Sequence, residues 1–344
     1  MRKVIGLAVL IIAGLAIAFF IYLKSPATAF SEKKQYFTLL EDSLSASLIT
    51  QALLKQHIIK RGWPFQFVLK ELNIAKHVKP GKYEVNKNAS ALSIVRMLKN
   101  NQQAAVNLVI NKLRLKEDLA KLIAKNFAID SNQVMNFMNS NDSLLPYKVD
   151  TSTVFTIIIP DTYTFYWNTS LRKIFNRLSV ADSIFWSKND RLEKAKAIGL
   201  SPQQAYILAS IVEEESNIDE ERGKIASVYI NRLNQNMALQ ACPTIKYAMK
   251  DFALTRIYEK YLFNPSPYNT YRNKGLPPGP ICTPSAKCID IVLNAPKTNY
   301  LYFVAKSDFS GYSHFSSNFA EHSFYAKQYQ QALDAEMAKK QKQK

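Results

Sequence analysis

Twenty consecutive residues, Val4 to Leu23, carry no charge. A helix of that length rises about 1.5 Å per residue and covers the roughly 30 Å hydrocarbon core of a bilayer, which predicts a membrane span over residues 4–23. Arg2 and Lys3 precede the run and Lys24 follows it. The positive-inside bias then leaves residues 1–3 as a cytoplasmic tip and sends the remainder across the membrane. A cleaved signal peptide is the rival reading, because Ala27-Thr28-Ala29 has the small residues of a cleavage site. The run exceeds the usual apolar region of about 7 to 15 residues in such peptides and favours a retained single-pass anchor. Either way the body is exported.

That body lies within 344 residues, enough for about two domains at roughly 150 residues each. Hydrophobic residues make up 47% and charged residues 21%, a globular balance that excludes a disordered chain or a polytopic membrane protein. With 9 glycines and neither a G-x-G-x-x-G nor a G-x-x-x-x-G-K-[ST] pattern, no nucleotide cofactor is expected. The net charge of +18 invites a nucleic-acid reading, but Arg2, Lys3, Lys24, Lys339, Lys340, Lys342 and Lys344 belong to the membrane flanks and a basic tail at 336–344. The other positive charges are scattered, without a basic run interleaved with aromatics, so no nucleic acid is expected as partner.

Cys242, Cys282 and Cys288 form no C-x-x-C pair. A Cys282–Cys288 bridge is conceivable in an oxidising compartment, and three buried thiols are the favoured state. His314 and His322 are eight residues apart, wider than the spacing of metal-ligand pairs, so no metal is expected.

Residues 24–35 read as a spacer. Leu44, Leu48, Ile49, Ala52 and Leu53 then recur at helical spacing, and Phe65, Phe67, Val68, Leu69 and Leu72 follow the Gly62-Trp63-Pro64 break. Pro80-Gly81 marks a turn, Lys82 to Val85 a strand, Ser90 the cap of a helix carrying Leu92, Ile94, Val95 and Leu98, and Ala105 to Ile110 another strand. Residues 36–111 are therefore expected to form a small α+β module. Helices are predicted within 113–145, over Ile174–Trp186 and over Leu192–Ile198. The β-branched run Val154 to Ile159, ended by Pro160-Asp161, predicts a strand and a turn.

Ser201-Pro202-Gln203-Gln204 combines a capping serine, proline in the first turn and a capping-box glutamine, which fixes a helix start. Ala205, Leu208, Ala209, Ile211 and Val212 then form an apolar stripe. At about 100° per residue, Glu215 falls about 50° from its centre, Glu213 about 110° and Glu214 roughly opposite, on the solvated side. Glu215 is the carboxyl carried toward the interior, where burial raises its pKa and suits it to proton transfer near neutral pH. A solvated acidic helix end is the plain alternative. Beyond it, stiff polar-aromatic loops such as Asn264 to Tyr271 and Gly275 to Pro280 suit the C–H faces and hydroxyls of sugars, although such loops also serve as connectors.

The segments Leu208 to Ser216, Ile225 to Leu233, Leu239-Gln240 with Pro243 to Tyr247, Tyr268 to Tyr271, Gly275 to Pro280 and Tyr300 to Ala305 resemble, in order and spacing, the endolytic murein transglycosylase family of YceG-like proteins. Pro160 to Tyr163, His314-Phe315 and Glu321-His322 also fit, and Pro80 to Tyr83 with its helix is similar to the family's LysM-like subdomain. The family usually has Asp where Cys242 stands and Glu-Gly where Asn111-Lys112 stand.

The resemblance implies an α+β chain: a transmembrane helix, a LysM-like subdomain at 36–111 and a catalytic domain at 112–335. It implies a lyase of the inner (cytoplasmic) membrane that cleaves the β-1,4 bond between MurNAc and GlcNAc within peptidoglycan strands. The products carry 1,6-anhydroMurNAc ends, and nascent strands would be terminated. It needs no cofactor and names peptidoglycan synthases as candidate partners. The family's catalytic glutamate lands on Glu215, with Glu213 and Ser216 in support. Asn231, Gln240, Thr244, Tyr268, Asn269, Thr270 and Tyr271 are the candidate substrate contacts, each with a loop-stabilising alternative. Two other readings stay open: a non-catalytic, membrane-tethered peptidoglycan-binding protein, and a metal-dependent amidase or peptidase using His314, Glu321 and His322.

Overall fold

The computed structural model describes residues 2–40, 45–254 and 256–342; Leu44 of the first helical repeat and Lys344 of the basic tail lie outside them. The chain divides into two units. One runs to Asn107 and takes in Asn126–Ala128 and Thr164–Ser170; the other holds Leu108–Lys125, Ile129–Tyr163 and everything from Leu171 onward.

The first unit begins with helix α1 (Arg2–Lys24). Among the described residues it is the one helix long and apolar enough to cross a membrane. Strand β1 (Lys34–Leu39), α2 (Ala46–Lys55), α3 (Trp63–Glu71), β2 (Gly81–Asn86) and α4 (Ala91–Lys99) follow. Alternation builds the ribbon: Phe37 and Leu39 of β1 face inward opposite Tyr83 and Gly81 of antiparallel β2, and the Phe37 and Tyr83 rings stack at 5.4 Å. Ile49 and Leu53 from α2, Phe65 and Leu69 from α3, and Ile94 and Leu98 from α4 close the core over this ribbon. Ser45 and Ser90 cap α2 and α4 by accepting the amides of Leu48 and Ser93.

The expected spacer is shorter than residues 24–35. Pro26 bridges Ser90, Thr28 bridges Ile59, and β1 already begins at Lys34. The Ala27 and Ala29 amides donate to Ala89 O and Ile58 O, which ties this segment to the unit.

Strand β3 (Ala105–Val109) pairs with β4 (Thr162–Tyr166). Between them lie α5 (Lys116–Asn126), α6 (Ser131–Met138) and α7 (Asn141–Leu144). The run Val154 to Ile159 is not the predicted strand: Val154–Ile157 is a 3₁₀ turn, and the strand begins only at Thr162. The Asp150 carboxylate accepts the amides of Ser152 and Thr153, winding the chain, and all four residues of the turn are buried. Their apolar, β-branched character reflects burial rather than a ladder.

The second unit continues with α8 (Leu171–Ser187), α9 (Arg191–Ala197), α10 (Pro202–Glu215), α11 (Asp219–Asn234), α12 (Cys242–Ala248), α13 (Glu259–Leu262), α14 (Ala286–Leu293), β5 (Tyr302–Ala305), β6 (Ser313–Ser316) and α15 (Phe319–Lys342). Its centre is α10, which starts at the expected capping box: Ser201 and Gln204 exchange bonds between side chain and amide, with Pro202 in the first turn. Every residue from Ala205 to Val212 is buried, so the helix is covered on all faces rather than along one stripe. Tyr206 Oη donates to Ile158 O at 2.6 Å, and Ser210 Oγ accepts the Ile281 amide. Packing against α9, α11, α12 and α14 holds the end of α10 in a defined place.

Candidate active site

Three glutamates end α10, and successive helical positions point them into three different environments. Glu213 pairs with Arg222 of α11 at 3.1 Å and accepts the Ser285 hydroxyl at 2.9 Å. Glu214, expected on the solvated side, is 14% exposed and is gripped by Nε and Nη2 of Arg114, at 3.1 and 2.9 Å, and by Lys112 at 3.1 Å. This corrects the single-stripe picture: a helix covered on every face has no solvated side, and the loop before α5 brings two cations to Glu214. Burial pushes the Glu214 carboxyl upward, but these hydrogen bonds outweigh it and hold the pKa below the ordinary value.

Glu215 has no ion pair among the described residues; its carboxylate oxygen accepts a hydrogen bond from Tyr229 Oη at 2.5 Å. The residue is half-buried, but its carboxyl is enclosed. That burial pushes its pKa up to about 7, against the hydrogen bond from Tyr229 and the more distant charges of Lys246 and Arg232, and with help from Glu214. Of the three glutamates, the one without a basic partner is therefore the one that can exchange its proton near neutrality.

The wall around it comes from α11 and α12. Tyr229 is fully buried, so its phenol is held well above its ordinary pKa and remains a donor. Arg232, one turn on along the same face, donates to Leu301 O at 2.6 Å and Leu239 O at 2.7 Å, tying the approach to β5 and the loop before α12 to the helix. Cys242 opens α12 with Sγ 3.1 Å from Tyr271 Oη, and burial raises the Tyr271 phenol. Lys246, one turn further, also lines a cavity of about 110 Å³ with Arg114, Glu214 and Phe252.

Of the residues singled out in sequence, Tyr271, beside Cys242, lies within electrostatic reach of Glu215. Ser216 ends α10 in an extended conformation; its Oγ accepts the Ile218 amide and its carbonyl accepts Arg222 Nε. Gln240 is exposed, with φ 51°, and its amide donates to Thr270 O. Thr244 and Thr270 are buried and share a hydroxyl contact at 2.9 Å, while the Asn269 amide donates to Leu262 O and Asn264 O. Tyr268 packs on Tyr247 at 4.7 Å. Asn231 donates to Thr298 O and Tyr300 O, both at 2.9 Å, and lines a separate cavity with Ser227 and Thr298. Most of these groups thus hold the loops that frame the site.

Sequence reasoning missed Tyr229, Arg232, Lys246 and the clamp from Lys112 and Arg114. The three-residue spacing of Tyr229 and Arg232, which puts them on one face of a helix, was the available signal. Cys282 and Cys288 are buried free thiols, whereas Cys242 is exposed, which corrects the expectation of three buried thiols. Among the described residues no three His, Cys, Asp or Glu side chains converge as metal ligands. His314 stacks on Tyr325 at 4.0 Å and His322 on Tyr302 at 5.2 Å.

Comparison with known proteins matches residues 40–328 to the YceG-like family. The endolytic murein transglycosylase of Bacillus subtilis (strain 168) is 32% identical over 285 residues, covering 77% of this chain and 77% of that protein. The endolytic murein transglycosylase of Streptococcus pneumoniae (strain ATCC BAA-255 / R6) is 34% identical over 154 residues, covering 43% of this chain and 27% of its own length. A crystal structure of a yceG-like protein from Listeria monocytogenes superposes with a TM-score of 0.53 at 28% identity, covering 85% of this chain and 99% of that one.

Proposed function

The chain belongs to the YceG-like family, and from that premise we propose that it is a membrane-anchored lytic transglycosylase that cuts inside peptidoglycan glycan strands with Glu215 as its one acid and base. The observation that carries the assignment is the contrast within the triplet. Glu213 and Glu214 are each held by an arginine, while Glu215 is enclosed, bonded to a neutral phenol and titrates at about 7.

A carboxyl with that pKa is about half protonated at pH 7. The protonated form donates to the glycosidic oxygen as the bond from MurNAc C1 breaks, and the GlcNAc hydroxyl leaves. The carboxylate then takes the proton from the MurNAc C6 hydroxyl as that oxygen bonds to C1 and closes the 1,6-anhydro ring. The proton returns to Glu215 and no water enters. Hydrolases need a second free carboxylate to activate water or trap the sugar, and the neighbouring glutamates are tied into ion pairs. Tyr229 holds one oxygen of the carboxyl and so directs the other, and the Tyr271 phenol with the exposed Gln240 would meet the sugar hydroxyls.

The anchor would be α1, with the catalytic unit on the extracytoplasmic side of the cytoplasmic membrane, and the ribbon-and-helix module at 36–111 would serve as a LysM-like glycan contact. Synthases working on the same strands would be its partners. The test is digestion of purified sacculi in heavy-oxygen water. Unlabelled 1,6-anhydroMurNAc ends are expected; reducing MurNAc ends carrying the label would replace this mechanism with hydrolysis.

A further inference from the structure

The last turns of α1 end against an aromatic cluster of the same unit. The Trp63 ring stacks on Phe19 and Tyr22, each at 6.0 Å, and Phe67 meets Phe19 edge-on at 5.5 Å. Trp63 is nevertheless 59% exposed and Phe67 48%. Phe19 lies five residues before Lys24, about 7 Å along a helix axis. A helix that crosses a bilayer therefore places Trp63 at the level of the lipid headgroups, the layer that indole and phenol rings prefer.

Directly beside this cluster is a cavity of about 180 Å³ whose lining includes Tyr22, Ser25, Lys60, Arg61 and Pro64. The Lys60 amide donates to Ala27 O, which fixes the basic pair beside the exit of the helix. Lys60 and Arg61 are exposed, and among the described residues neither forms an ion pair. Two exposed cations, one a guanidinium with a fork of donors, thus border a small cavity at headgroup depth. That is the chemistry that recognises a phosphate diester.

We propose that this cavity binds the headgroup phosphate of an anionic phospholipid through Lys60 and Arg61, with Trp63 and Phe67 seated in the interfacial layer. The module at 36–111 is then held against the membrane rather than swinging from a tether. The proposal rests on the reading of α1 as a membrane anchor. The phospholipid is favoured over a soluble phosphate ester because the aromatic cluster that borders the cavity is continuous with the anchor helix.

The full chain in mild detergent, examined by native mass spectrometry, should retain phosphatidylglycerol in preference to phosphatidylcholine. The double substitution Lys60→Gln with Arg61→Gln should weaken that retention about thirtyfold, roughly fivefold for each basic residue beside an anionic lipid. Lys76→Gln with Lys79→Gln removes the same charge elsewhere on the unit and should leave retention unchanged. In proteoliposomes, brominated phospholipids should quench Trp63, read as the difference between wild type and Trp63→Phe. Equal retention of the two lipids, equal losses in the two double variants, or sn-glycerol 3-phosphate binding as tightly as the lipid would overturn the site. Flotation with phosphatidylglycerol vesicles separates the premises. A chain that fails to float is not anchored by α1, and both readings fall. A chain that floats while the Lys60 and Arg61 variant keeps its lipid loses only the headgroup site.

Discussion

Two buried carboxyls in the second unit share a pKa of about 7, yet their surroundings suit them to different ends. Glu215, at the end of α10, faces the Tyr229 hydroxyl, with Lys246, Arg232 and Tyr271 within electrostatic reach. Asp182, on α8, lines a cavity of about 530 Å³ near the start of α10, and its Oδ1 is buried without a partner among the described residues. Burial raises it, and a hydrogen bond with Trp186 pulls the other way. A displaced pKa therefore does not mark a catalytic acid by itself. What distinguishes Glu215 is the pair of cations, Lys246 and Arg232, near enough to ease its charged form without pairing with it.

The sharpest way to break the comparison is to replace each carboxyl by its amide. Glu215→Gln should lower glycan cleavage roughly 10³-fold, the scale of a lost general acid and base, measured as release of 1,6-anhydroMurNAc ends. Its pKa is raised from 4.5 to about 7 in the fold. Its stabilising influence is therefore complete below about 4.5 and is lost as pH rises to about 7. The same variant should melt above wild type at pH 8 while being inactive, and wild-type turnover by it would sink the mechanism.

Tyr229→Phe comes next, with an expected loss of about tenfold in kcat. Its hydroxyl favours the ionised carboxyl, so removing it should move the alkaline limb of kcat/KM to higher pH. An unmoved limb would mean that Tyr229 only fills space. Glu214→Gln should act chiefly on stability. It unpairs Arg114 and Lys112 at a site partly screened by water, costing ~1–3 kcal/mol in denaturant unfolding. Because Glu214 helps to raise the Glu215 pKa, the limb should shift slightly toward lower pH, opposite to Tyr229→Phe.

Asp182→Asn should leave cleavage unchanged. The Asp182 pKa rises from 3.8 to about 7 on folding, so its contribution is also present in acid and lost between about pH 4 and 7. The variant should match wild type at pH 4 and gain on the order of a few kcal/mol at pH 8, measured by thermal melting. A drop in cleavage would show that the cavity at the other end of α10 takes part in the reaction.

Much of the framework was legible in local sequence. The Ser201 capping box, the Ser90 cap and the apolar run of α1 all rest on interactions between residues a few positions apart, and each formed where expected. The register argument selected Glu215 while misjudging Glu214, because periodicity sees one stripe and α10 is buried on every face. Val154 to Ile159 failed for a related reason, since β-branched residues record burial equally well in a turn.

The sequence by itself determined the long apolar helix α1, the start of α10, and the succession of three carboxyls along it. Only the tertiary structure decided which of the three would lack a cation. Arg114 reaches Glu214 across 100 residues, Ser285 reaches Glu213 across 72, and Tyr229 is turned onto Glu215 by the bend at Ser216. A proton affinity depends on the dielectric and the charges within a few ångströms, and those neighbours come from segments that no helical period connects.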